Sequence, residues 1–231
     1  MKLHRQAILF CIISGLLFLL LSTLAMAYYP GGTIHDRGTI GYSFWHNYFS
    51  DLGRMRSWSG APNGRSNLFF QSGLLLAGSG LAAFFLVLPA LFRDADAKML
   101  ALASSVAGMV AALCYAGIAL TPLDAHYGRH TVFVRAGFIA FLAMALFYSL
   151  AIRRQQEYPN HYARAFGWFS AILGIQIAIM LFGPRAWRSP EALLLQASAQ
   201  KVVVYAEIIC MAYQGVGAYR MAGRLMGQQQ V

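Results

Sequence analysis

Charge is scarce in this sequence. Asp, Glu, Lys and Arg together make up 11% of the 231 residues, where a soluble domain carries about 25%, and so few charges cannot cover the surface of a soluble globule. Cysteine is scarce too. Cys11, Cys114 and Cys210 stand far apart, which excludes a disulfide framework and any paired-cysteine metal site. The chain has no repeat of fixed period, no low-complexity stretch and no polar segment long enough for a soluble domain, which excludes solenoids and linker-joined modules. Acidic residues number 8 against 18 Lys and Arg, a formal net charge of +10. In a soluble chain that balance points to nucleic acid, but the placement of the apolar residues gives it another meaning.

Apolar residues reach 58% and come in six blocks, at 7–28, 67–92, 99–121, 131–152, 165–183 and 200–220. Each is long enough to cross roughly 30 Å of hydrocarbon at about 1.5 Å per residue. Backbone groups in lipid must be satisfied internally, and the blocks lack the alternation of a membrane barrel. The expectation is an all-α, polytopic bundle of six transmembrane helices forming a single transmembrane domain. The three cysteines fall inside spans, where they pack as small apolar residues. Lys2 and Arg5 precede a first block ending in Ala25-Met26-Ala27, a signal-like pattern, but its apolar core exceeds the roughly 7 to 15 residues of a signal, so the first helix is expected to be uncleaved.

Six spans put both termini on one side. Lys2, Arg5, Arg93, Lys98, Arg153, Arg154, Arg164, Arg220 and Arg224 belong to that side, in short segments next to the spans, where the positive-inside rule carries weight. Both termini are therefore expected in the cytoplasm, in a plasma or bacterial inner membrane. The remaining basic residues fall on the outer side, four of them (Arg37, Arg54, Arg56, Arg65) in the long first loop, beside His35, His46, His126 and His130. The positive charge thus partly orients the helices and is no nucleic-acid signature. Its outer share suggests an anionic head group or an acidic partner.

The first outer loop contains YSFWHNYFSDLGRMR, from Tyr42 to Arg56. On a helix, Phe44, Trp45, Tyr48, Phe49, Leu52 and Met55 form one face and His46, Asn47, Ser50, Asp51 and Arg54 another. The pattern predicts a short interfacial or re-entrant helix across the outer mouth of the bundle. Small residues at four-residue spacing, such as Gly73 with Ala77 and Ser170 with Gly174, predict close helix packing.

The third and fourth spans are joined by TPLDAHYGRH, Thr121 to His130. Asp124 is placed to cap the next helix. His126 and His130, four apart, share a helical face that suits two imidazoles on one zinc ion, with His46, Asp51, His35 or Glu207 as the third ligand. Arg135 and Glu207 lie inside spans at similar depth, and an intramembrane charge needs a partner; they are expected to pair, with Asp51 the competing acceptor for Arg135. Lys201 is expected to snorkel to the interface. Gln71 and Gln176 are expected to make interhelical hydrogen bonds.

The element FSDLG, Phe49 to Gly53, between the first two spans, and the Pro-x-Asp-x-His turn, Pro122 to His126, after the third resemble the six-helix membrane proteins catalogued as domain of unknown function 998, similar in general plan to DRAM-type membrane proteins. The resemblance implies the architecture and marks Asp51, Pro122 and His126, and it implies no substrate. A more distant similarity, to the CREST superfamily of membrane hydrolases, rests on His46 with Asp51 and on the His-x-x-x-His pair; the chain departs from it in having six spans instead of seven and no histidine in the last.

Three functions follow as expectations. The first is a bundle that binds a membrane lipid or amphiphile head group at its outer side through His46, Asp51, Arg54, Asp124, His126, His130, Arg135 and Glu207, with no cofactor. The second is a zinc-dependent membrane hydrolase using His126 and His130, in which the metal would lower the pKa of bound water to about 7. The third is an accessory subunit contacting a membrane-protein partner. Paired helix interruptions of the kind found in transporters are absent from the sequence.

Overall fold

The computed structural model describes residues 2–227. Its α-helices are α1 (Lys2–Ala27), α2 (Phe49–Leu52), α3 (Gly64–Val87), α4 (Ala95–Leu120), α5 (Tyr127–Arg154), α6 (Asn160–Phe182) and α7 (Pro190–Gly227), with a 3-10 turn at Leu88–Leu91. All but α2 are long and apolar enough to cross a membrane, so the chain is an all-α six-helix membrane bundle. Among the described residues the only β-structure is two isolated bridges, Gly31 with Ile40 and Arg56 with Pro62.

The ends of these helices follow local chemistry. Pro89 sits in the first turn of the 3-10 segment, where its missing N–H costs nothing. The Asp94 side chain caps α4 by accepting from Ala97 N–H at 2.9 Å, and Pro159 and Pro190 stand at the starts of α6 and α7. Asp124 does not cap α5 as expected. His126 occupies the N-cap position, and the Asp124 carboxylate turns back to the first loop.

The six long helices form a ring in chain order. Each packs on the next, and α7 closes the ring on α1; among the described residues no long helix approaches another across the ring at the level of the backbone. Glycines permit the closest contacts. A Cβ on Gly80 of α3 would stand 2.8 Å from Ser14 Cβ and 3.1 Å from Cys11 Cα of α1, and one on Gly108 of α4 would stand 2.3 Å from the Phe85 ring. Gly73 also meets α1, at Phe18, whereas Gly174 has nothing within 4 Å, so the Ser170 and Gly174 pair does not mark a close crossing.

A ring without cross-contacts needs something in its middle. Toward the termini, that filling is a cluster of large buried side chains, including Phe84, Phe85, Phe141, Tyr148 and Phe166. At the distal end, away from both termini, the first loop folds inward over Phe18, Phe70 and Leu74, and beside it the ring remains partly hollow.

Candidate functional site at the distal end

The first loop contains a helix, but only the single turn α2. Its flanking residues take irregular backbone because hydrogen bonds to buried side chains replace the helical ladder. The two faces read from helical periodicity therefore do not hold. Asn47 and Asp51 are 0% and 1% exposed, while Trp45 and Met55 are 53% and 61% exposed.

Asp51 is the centre of this network. Its Oδ2 accepts from Asn47 Nδ2 at 3.1 Å and Tyr48 N–H at 2.8 Å, and its Oδ1 accepts from Trp58 Nε1 at 2.8 Å. The bond back to Tyr48 is the carboxylate half of a capping box. Burial pushes the Asp51 carboxyl above its ordinary range, opposed by these three donors and by the nearby Arg54. Asn47 donates as well to Gly32 O at 3.0 Å and accepts from Ser43 N–H at 2.9 Å. Gly32 has φ +83° and no room for a Cβ, which would lie 2.3 Å from Ser59 N; only glycine fits there.

Other helices hold the loop from outside. Lys201 of α7 is 1% exposed and does not snorkel. It donates to the Asn47 carbonyl within 5.3 to 5.8 Å of the ring centroids of Tyr42, Phe44 and Phe49, a cation–π arrangement that favours the charge in a desolvated place. Gln200 Oε1 accepts from Phe49 N–H at 2.9 Å. Asp124 accepts from Met55 N–H and Arg56 N–H, both at 2.9 Å, and His35 Nε2 lies 2.8 Å from the Ala186 carbonyl. The loop is thus tied to α7, to the α4–α5 turn and to the α6–α7 turn.

One wall of the folded loop borders a cavity of about 520 Å³, within the roughly 300 to 1,000 Å³ usual for ligand sites. The other walls come from α5, α6 and the start of α7. Five of the eight residues expected at the outer site line it: Asp51, Arg54, Asp124, His130 and Arg135. Arg185, Gln176, Gln196 and Gln200 line it as well. The sequence does carry a signal for two of these, since Gln196 and Gln200 stand one helical turn apart on α7.

The remaining three lie elsewhere. His46 is half-buried in the first loop with Nδ1 3.3 Å from Ser43 Oγ. His126 is exposed. Glu207 accepts a hydrogen bond from Tyr115 of α4 beside a much smaller space lined by α1, α3, α4 and α7. The expected Arg135–Glu207 pair is not formed, and Asp51 does not pair with Arg135 either; among the described residues the salt bridge is Arg154 to Asp96 at 3.5 Å. Tyr115 supplies Glu207 with a neutral donor inside the bundle, while Arg135 turns to the cavity. His126 and His130 do not converge: His130 is 3% exposed, with Nδ1 2.6 Å from the Thr121 carbonyl oxygen. Among the described residues no three His, Cys, Asp or Glu side chains are grouped to hold a metal ion.

Removal of the central carboxylate tests the loop directly. Asp51→Ala leaves three donors of the loop unpaired, each at a cost of about 1 to 3 kcal/mol where buried. The variant is expected to lose thermal stability in detergent and to become cleavable by protease within residues 29–63, while Asp36→Ala, at an exposed turn, is expected to behave as wild type. Equal protease resistance in Asp51→Ala and wild type would show that the loop does not depend on this carboxylate. No protein-family model, curated protein or solved structure matches the chain.

Proposed function

We propose that the cavity binds the head group of an anionic membrane lipid or amphiphile. The charge of its walls carries this reading. Arg54, Arg135 and Arg185 line it, while both wall carboxylates already serve protein donors, Asp51 within the first loop and Asp124 at Met55 and Arg56. Three guanidinium groups against two carboxylates leave the wall net positive, and Arg135 and Arg185 have no carboxylate partner among the described residues. A guanidinium offers a rigid fork of donors that matches a phosphate. Val134, Phe138 and Met180 supply an apolar part of the wall, and the exposed Tyr127 and Trp187 stand among the lining residues, as aromatics do where protein meets lipid head groups.

The basic residues in the short segments at the other end favour termini in the cytoplasm and a cavity on the extracytoplasmic side of a plasma or bacterial inner membrane. A cysteine introduced at Gly38, in an exposed turn, is then expected to react with a membrane-impermeant thiol reagent in intact cells. Labelling only after lysis would reverse the orientation.

Phospholipid retained after purification tests the binding. Arg135→Ala with Arg185→Ala is expected to lower it at least about tenfold, since each hydrogen bond to a charged group is worth about 1.5 to 3 kcal/mol. Arg153→Ala at the opposite end is expected to leave it unchanged. Equal retention in all three proteins would contradict the proposal.

A further inference from the structure

Residues lining the cavity also carry acceptors that have no partner among the described residues. His130 is the clearest. Its Nδ1 lies 2.6 Å from the Thr121 carbonyl oxygen, and a carbonyl only accepts, so Nδ1 carries the proton. In the neutral ring, Nε2 is then an acceptor. That nitrogen is buried and has no partner, and His130 lines the cavity. Its tautomer and its ring position are both set by the Thr121 bond.

A second lining residue with a spare acceptor is Gln196 of α7. Gln196 commits its amide nitrogen to the carbonyls of Ile179, at 2.8 Å, and Pro184, at 3.1 Å. These bonds fix which way the amide points, because a reversed amide would set oxygen against oxygen. Oε1 is left as the free end, with no hydrogen-bond donor among the described residues. On α6, the Gln176 Oε1 is buried without a partner. Residues of three helices that line the cavity thus carry uncommitted acceptors, while the two wall carboxylates already serve loop donors.

A ligand that satisfies both sets must carry an anion for the arginines and hydrogen-bond donors for His130 and Gln196. An ammonium supplies donors but meets a wall whose three guanidinium groups outnumber its two carboxylates, and a quaternary ammonium supplies none. Hydroxyl groups supply donors without charge. Resting on the anionic head-group reading, we infer that the ligand is a polyol phosphate, a phosphate ester carrying free hydroxyls, with the phosphate at Arg54, Arg135 and Arg185 and a hydroxyl donating to His130 Nε2.

The test compares lipids in nanodiscs by native mass spectrometry of the full chain. Phosphatidylglycerol, which has both groups, is expected to bind roughly tenfold more tightly than phosphatidic acid, which has the anion without the hydroxyls. Phosphatidylcholine is expected to bind most weakly. In His130→Phe and in Gln196→Met, the preference for phosphatidylglycerol over phosphatidic acid is expected to fall to about twofold or less while phosphatidic acid still binds. The wild-type preference is a readout that needs no variant to fold. Free glycerol 3-phosphate separates the sources of the same chemistry: displacement of the lipid assigns the site to a soluble ester, and retention assigns it to a lipid-borne one, each in keeping with a polyol phosphate. Equal binding of phosphatidylglycerol and phosphatidic acid to wild type would overturn the hydroxyl assignment and leave the anionic reading standing. Binding of neither above phosphatidylcholine would overturn the anionic reading itself.

Discussion

The distal half of this protein depends on one buried carboxylate. Asp51 gathers a side-chain amide, a backbone N–H and an indole N–H from three positions of the first loop. These bonds turn a connection between two spans into a folded wall. Taking a carboxylate from water is costly and is tolerated only with its hydrogen-bonding capacity used. Here the donors come from the same loop, so the network closes on itself and leaves Arg135 and Arg185 without a carboxylate partner among the described residues. Lys201 then fixes the loop from α7 through the Asn47 carbonyl and the surrounding rings.

The ring of helices explains why the loop matters. Six helices packed only on their neighbours enclose a centre too wide for backbone contact, and side chains must fill it. Large aromatics do so toward the termini. At the distal end the inward-folded loop takes over part of that task and leaves a space bordered by α5, α6 and α7. Cavity and loop are therefore parts of one packing solution. Loss of the loop fold would remove a wall of the cavity and uncover the apolar surface of Phe70 and Leu74 beneath it.

The architecture was legible because it depends on averages over many residues. Apolar block length alone distinguishes six helices, and no single residue decides it. The cavity was partly legible: Asp51, Arg54, Asp124, His130 and Arg135 drew attention as polar residues at one end of an apolar protein, and they come together. Their partners were not legible. Arg135 and Glu207 match in depth, but depth says nothing about the angle at which each side chain leaves its helix, and Tyr115 reaches Glu207 instead. Helical periodicity grouped Asn47 and Asp51 with His46 and Arg54 on one polar face because it presumes a helix, whereas the loop takes its shape from bonds distant in sequence, such as Phe49 to Gln200. The i to i+4 spacing of His126 and His130 likewise presumes that both are inside the helix, yet His126 sits at its N-cap.

The central claim is that the loop held by Asp51 shapes a pocket whose unpaired groups meet an anionic, hydroxylated head group. An experimental structure of the protein in phosphatidylglycerol-containing nanodiscs tests it most directly. The account predicts head-group density in the cavity, with phosphate oxygens within about 3 Å of Arg135 or Arg185 and a donor at similar distance from His130 Nε2. A first loop folded as described, beside a cavity holding only water at Arg135 and His130, would contradict it.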